Sequence, residues 1–334
     1  MASQMMLGHY NFMCRFTTSA ELPHYKGSTF RGVFGHALKR IVCVLKNQEC
    51  ERCPLKGNCL YAMVFETTVA RHMGGHSNVS AAPHPFVIEP PLTQQTQYKE
   101  GDALSCRLIL FGDVNKQIPY FVYAFNQMGE IGIGKRINGT RGKFELLEVR
   151  NGDSVLYTRE KGILKTGSGI PYAEFPSEYS DFKGQRQSRV TIFLETPLRL
   201  KFKNRLSRAD LPFHVLIRAA LRRISSLFNA WGDGEPDLDY KGLVDRAHKV
   251  KTVNNDLGWF DWRRYSNRQE SKMFMGGIIG SITYEGELDE FYPLLKFCQE
   301  VHIGKATSFG LGKIRVGEKS YAKNSILAKK TMED

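Results

Sequence analysis

The sequence predicts an α+β protein made of two copies of one βαββαβ unit, and three observations lead there. First, the order strand, Leu-Pro step, basic amphipathic helix, strands, helix, glycine-rich loop, strand occurs twice along the 334 residues. Second, the two helix openings echo each other: ELPHY against DLPFH, then GHALKRI against RAALRRI. Third, both glycine-rich loops follow a helix and precede a strand. The arrangement is that of tandem ferredoxin-like domains with a cysteine-rich insertion in the first. The alternative is an unrelated α+β pair. The expected boundaries are 1–150 and 189–320, joined by a linker or insertion at 151–188 and followed by a tail at 321–334.

In the first half, residues 7–16 read as a strand and Leu22-Pro23 as the turn before a helix. Phe30, Val33, Phe34, Ala37, Leu38 and Ile41 fall at i, i+3, i+4, i+7, i+8 and i+11, the apolar face of that helix. Ser28 is positioned to cap it. The opposite face carries Gly32, His36, Lys39 and Cys43, with Arg40 at its edge. One reading is a solvated basic face; the sharper one is a histidine among cations, where a phosphate could sit.

Cys43, Cys50, Cys53 and Cys59 follow at the spacing C-x6-C-x2-C-x5-C, within an expected metal segment at 43–59. Four thiols so close can converge on zinc or an iron–sulfur cluster. Free thiols and disulfides are the alternatives, and disulfides are disfavoured because no secretory segment is visible and a reducing cytoplasm is expected.

Residues 61–69 read as a helix, and 71–85 as a Gly/Ser/Pro-rich surface loop holding His72, His76 and His84. Strands are expected at 86–91 and 103–111, then a helix at 116–128 anchored by Tyr120, Phe121, Tyr123 and Phe125. The glycine-rich loop GEIGIGKRINGTRGK leads into a strand at 144–149, and 150–188 carries weak strand signals, as of a hairpin. The second copy has a strand from 189, a helix over 212–231, paired strands at 258–265 and 273–284, a helix at 287–301, the loop HIGKATSFGLGK, a strand at 314–316 and a polar, fraying tail.

The net charge of +13, from 47 basic against 34 acidic residues spread along the chain, suggests a folded surface that meets a polyanion. No apolar run approaches the roughly 18 residues of a membrane span. A nucleotide-cofactor loop runs strand, loop, helix. Both loops here run helix, loop, strand, so that reading is poor. Their glycines with Lys135, Arg136, Arg141, Lys143, Lys305 and Lys313 suit an RNA cleft instead.

With these residues in view, the chain resembles the CRISPR repeat-processing endoribonucleases of the repeat-associated (RAMP) superfamily. The likeness is carried by Leu22-Pro23, by Arg31-Gly32 and Gly35-His36 in FRGVFGHALKR, by GIGKRINGTRGKFEL and, most specifically, by the terminal GKATSFGLGKI. CPLKGNCLYAMVFE looks like the cysteine segment of one branch. The resemblance implies cleavage of precursor CRISPR RNA within its repeats without a catalytic metal. The ribose 2′-hydroxyl attacks, leaving a 2′,3′-cyclic phosphate and a 5′-hydroxyl. It places His36 as general acid or base, with Tyr25 and Lys39 as candidate helpers and His24 as rival histidine. Arg31, Arg40, Lys135, Arg136, Arg141, Gly304, Lys305, Gly310, Gly312 and Lys313 are the expected RNA contacts. A structural zinc, or alternatively an iron–sulfur cluster, is expected on the four cysteines. Repeat RNA, and other CRISPR effector subunits, are the expected partners of a monomer or homodimer. The competing function is a non-catalytic subunit that holds guide RNA in an effector complex.

Overall fold

The computed structural model describes residues 3–46, 49–66, 82–165, 171–175, 188–202, 205–206, 210–261, 263–266, 271–274 and 276–317. Two compact units result: residues 4–173 with 226–234, and residues 1–3, 174–225 and 235–334.

In the first unit, β1 (Ser3–Phe16) leads to helix α1 (Gly27–Val42) and the short helix α2 (Leu60–Phe65). Strands β2 (Phe86–Glu89) and β3 (Ala103–Phe111) follow, then α3 (Ile118–Ile131), the hairpin β4 (Ile133–Ile137) and β5 (Thr140–Gly142), and strands β6 (Phe144–Asn151) and β7 (Ser154–Thr158). The sheet runs β2-β3-β1-β6-β7. The first strand of the repeat thus lies between the third and the fourth, with Tyr10 opposite both Leu108 and Asn151. That is the ferredoxin-like order, extended by β7.

Alternation explains which face the helices cover. Tyr10, Phe12, Cys14 and Phe16 of β1 are buried one after another at period two. Phe12 stacks on Phe125 of α3 with ring centroids 4.0 Å apart, and Phe34 of α1 meets Phe121, Phe125 and Phe86 at 5.2–6.0 Å. The sequence-based anchors of α3 are half right: Phe121 and Phe125 are core, while Tyr120 and Tyr123 are exposed. Gly35 lets α1 approach α2, because a Cβ there would lie 2.9 Å from the Phe65 ring.

The second unit repeats the plan. It holds β8 (Arg189–Leu198), α4 (Phe213–Trp231, whose last residues belong to the first unit), α5 (Tyr240–Ala247), β9 (Lys251–Phe260), β10 (Gly277–Glu285), α6 (Tyr292–Val301) and β11 (Ile314–Gly317). Its sheet order, β9-β10-β8-β11, is the same as in the first copy.

Several local expectations shift. Ser28 is not the cap of α1: Lys26 holds the cap position without a side-chain bond, and the Ser28 hydroxyl is buried with no partner among the described residues. The expected loop at 129–143 contains the β4–β5 hairpin, and part of the expected insertion is β7, paired to β6. Helix α5 was not foreseen, α6 starts five residues later than expected, and β9 starts seven residues earlier. His72, His76 and the tail from 318 lie outside the described residues.

Candidate functional site

The outward side of α1 follows from its period. With Phe30, Phe34, Ala37 and Leu38 turned into the core, Gly32, His36 and Arg40 are left exposed. His36 has no hydrogen-bond partner among the described residues, so its ring is open to a ligand. A Cβ at Gly32, one turn earlier, would meet nothing within 4 Å, so packing gives no reason for glycine there.

The cations around His36 are held by aromatic rings of α2. Lys39 Nζ lies 5.4 Å from the Tyr61 ring centroid, and the Arg31 guanidinium lies 5.1 Å from that of Phe65. Arg31 also contacts His84 Nε2 at 3.3 Å, while His84 Nδ1 is 2.9 Å from Val64 O. A guanidinium can only donate. His84 Nε2 therefore accepts, and its Nδ1–H donates to the carbonyl. Sequence patterning gave His84 no such role, because the contact links residues 53 positions apart.

Tyr25 does not join this surface. It is buried, and burial, with Glu89 adding to it, holds its hydroxyl well above the usual range. Next to it Lys26 is also buried and donates to the carbonyls of Thr93 (2.8 Å) and His24 (3.2 Å), and burial lowers its amine to about 8. Both anchor the turn that starts α1. The rival His24 is exposed.

The β4–β5 hairpin packs against α1 and against the segment Ala20–Glu21. Gly134, at φ +86°, allows this approach: a Cβ would lie 2.2 Å from Glu21 O. Lys135 and Arg136 are exposed and Arg141 is half-buried; Lys135 reaches Glu21 at 3.2 Å. The first unit thus presents His36, Arg31, Lys39, Arg40 and the hairpin cations on neighbouring elements.

The loop at 302–313 is built differently from its sequence-based reading. Gly310 and Gly312 are buried, and their amides donate to Thr307 O (2.7 Å) and Pro197 O (3.2 Å). A Cβ on Gly312 would lie 1.8 Å from Ile303 O. These glycines serve the turn, and their N–H groups are engaged inside the fold. Thr196 fixes the loop by donating to Gly310 O at 2.8 Å and accepting from Lys313 N at 2.9 Å. Buried Arg223 donates to Val301 O (2.8 Å) and His302 O (3.1 Å), satisfying carbonyls at the end of α6, and burial pulls its guanidinium down to about 10. Gly304 is half-buried, Lys305 is exposed, and Lys313 lies 3.9 Å from Glu195.

The four cysteines are half-buried free thiols. Cys43 ends α1, its amide donating to Lys39 O at 2.9 Å, and Cys53 N donates to Cys50 O at 3.3 Å in a tight turn. Burial pushes the Cys50 thiol up; Lys39 opposes this, and Glu66, Cys43 and Cys59 add to it. Cys43 and Cys59 are therefore each within electrostatic reach of Cys50, and Cys53 is tied to Cys50 by the turn, a donor set whose chemistry fits a thiolate-bound metal. Among the described residues, no three His, Cys, Asp or Glu side chains converge closely enough to hold an ion as placed.

Comparison with known proteins places these features. Residues 192–314 match the family model of the CRISPR-associated endoribonuclease Cas6, and residues 5–169 match the AF_1859_N N-terminal domain. An uncharacterized protein of Archaeoglobus fulgidus is 26% identical over 300 residues, covering 88% of this chain and 92% of that protein. Among solved structures, Thermus thermophilus Cas6 aligns over 94% of this chain and 99% of its own with a TM-score of 0.51 at 12% identity. A chain of a partial Cas6-RT-Cas1–Cas2 complex aligns over 97% of this chain with a TM-score of 0.55 at 13% identity, this chain spanning 47% of the length of that one. At such identities these structures establish the shared fold. The second ferredoxin-like unit is thus similar to the CRISPR-associated endoribonuclease Cas6 family, and nearly the whole chain shares its fold with solved Cas6 structures.

Proposed function

We propose that this protein cuts precursor CRISPR RNA within its repeats by a metal-independent transesterification. The ribose 2′-hydroxyl attacks the adjacent phosphorus, the bond to the 5′-oxygen breaks, and the fragments carry a 2′,3′-cyclic phosphate and a 5′-hydroxyl. The observation that carries this reading is the open His36 ring on the cationic face of α1. An imidazole titrates near neutral pH, so it can take the 2′-hydroxyl proton or give one to the leaving oxygen. Arg31, Lys39 and Arg40 would stabilise charge gathering on the phosphorane, each donor worth a few kcal/mol. Lys39 is the helper that the geometry supports; Tyr25 is set aside because it is buried. Solved structures of similar fold include a Cas6 product complex and a partial Cas6-RT-Cas1–Cas2 complex. Repeat RNA is the proposed substrate here, and other CRISPR proteins in the cytoplasm are the proposed partners.

Incubation of the purified chain with repeat RNA in EDTA, followed by end-group analysis, tests the chemistry. Cyclic phosphate and 5′-hydroxyl ends are expected; 5′-phosphate ends would refute the 2′-hydroxyl attack, and tight binding without cleavage would favour the guide-holding role. We further propose that Cys43, Cys50, Cys53 and Cys59 hold a structural zinc that braces the C-terminal end of α1. Four thiolates would fill its coordination, leaving no open position for catalysis. Metal analysis should find about one zinc per chain, and Cys50→Ser should lower both zinc content and melting temperature. Unchanged stability with no metal bound would refute this site.

A further inference from the structure

The second unit carries a cationic surface to which nothing above assigns a role. Along α4, His214, Arg218 and Arg222 recur every four residues and so form one stripe, about 6 Å apart along the axis. The opposite side, including Leu216, Ile217, Ala220 and Ile224, is buried in the core. Arg218 and Arg222 are exposed and have no ion-pair partner among the described residues. Other arginines of this unit are occupied: Arg189 by Glu285, Arg246 by Asp239 and Glu290, and Arg315 by Glu195. At one end of the stripe the His214 ring stacks on His248, just past the end of α5, with centroids 3.8 Å apart and 18° between planes. Exposed Lys249 and Lys251 follow His248. Near the other end, Glu235 accepts from Ser225 at 2.6 Å.

We propose that the stacked His214–His248 pair and the Arg218–Arg222 stripe form a further RNA-backbone contact surface on the C-terminal domain, one that grips more tightly as the solution becomes more acidic. The proposal rests on the reading of the protein as an RNA-processing enzyme. Cations repeated along one exposed helix face can follow a phosphate backbone, and unpaired cations exchange their counterions for phosphates. The stacked imidazoles add the acid response. Burial disfavours protonation of His214, as do His248 and Arg218, which face it, while Asp210 favours it. Two charged rings at this separation repel each other. A phosphate laid over them offsets that repulsion, so RNA binding takes up protons and affinity rises as pH falls.

The test is fluorescence anisotropy with a fully 2′-O-methylated repeat RNA, which lacks the 2′-hydroxyl nucleophile and so reports binding apart from cleavage. Kd is measured at pH 5.5 and 7.5 over a range of salt. The chain should bind more tightly at pH 5.5, by roughly tenfold for each unit by which RNA raises a histidine pKa. His248→Ala should lose this extra tightening and stay within about twofold at pH 7.5. The Arg218→Ala/Arg222→Ala variant should lower the slope of log K against log salt by about 1.5, and Arg218→Lys/Arg222→Lys should restore it. An unchanged slope and unchanged acid response in variants with native melting temperatures would overturn the proposal and leave the surface to an acidic protein partner. A chain that binds in this way yet never cleaves unmodified RNA would sink the nuclease reading alone.

Discussion

Gly32 sits inside α1 on its exposed face, where glycine costs about 0.5–1 kcal/mol relative to alanine, and no neighbour needs the space. It lies one turn from His36 on the same face. The glycine is accounted for if RNA comes close to the backbone there. Gly32→Ala should therefore raise stability to denaturant by about 0.5–1 kcal/mol while weakening RNA binding or cleavage several-fold. Greater stability with full activity would show that the bare turn has no ligand to admit. Tyr25 and His84 mark the limits of reading single residues. Tyr25 has the chemistry of a helper beside the helix start, but it is core. His84 orients Arg31 through a contact formed only when the chain folds back across α1.

Among the elements, the loop at 302–313 is the one whose role changes most. Its glycines are required by positive φ at Gly304, Gly310 and Gly312 and by the close approach to Ile303, and the loop is held from beneath by Arg223 and Thr196. Arg223→Met would remove the guanidinium that satisfies two buried carbonyls at the end of α6. The expected loss is about 2–4 kcal/mol in denaturant unfolding; a loss below about 0.5 kcal/mol would show that water replaces it freely. The hairpin that replaces the first glycine loop had a signal in the sequence. Asn138-Gly139 stands between Ile137 and Thr140, and both adopt positive φ, +49° and +82°, as a two-residue hairpin turn requires.

For the molecule as a whole, the duplicated βαββαβ order was legible because each copy repeats the same hydrophobic periods, and those periods dictate which face of each helix and strand is buried. The exposure of His36 was legible for the same reason, being the remainder of the face that Phe30, Phe34 and Leu38 define. Long-range polar contacts were not legible: Arg223 reads as one more basic helix residue until its carbonyl partners 78 and 79 positions away are seen. Likewise the His214–His248 stack joins α4 to the residue that follows α5, which no local pattern connects. The central claim is that His36 moves a proton in repeat cleavage. The direct measurement is the single-turnover cleavage rate of His36→Ala on repeat RNA in EDTA, with RNA affinity, zinc content and melting temperature measured alongside. A fall of about 100-fold or more, with affinity and stability close to the parent, is the predicted result; a rate within a few-fold of the parent would contradict it.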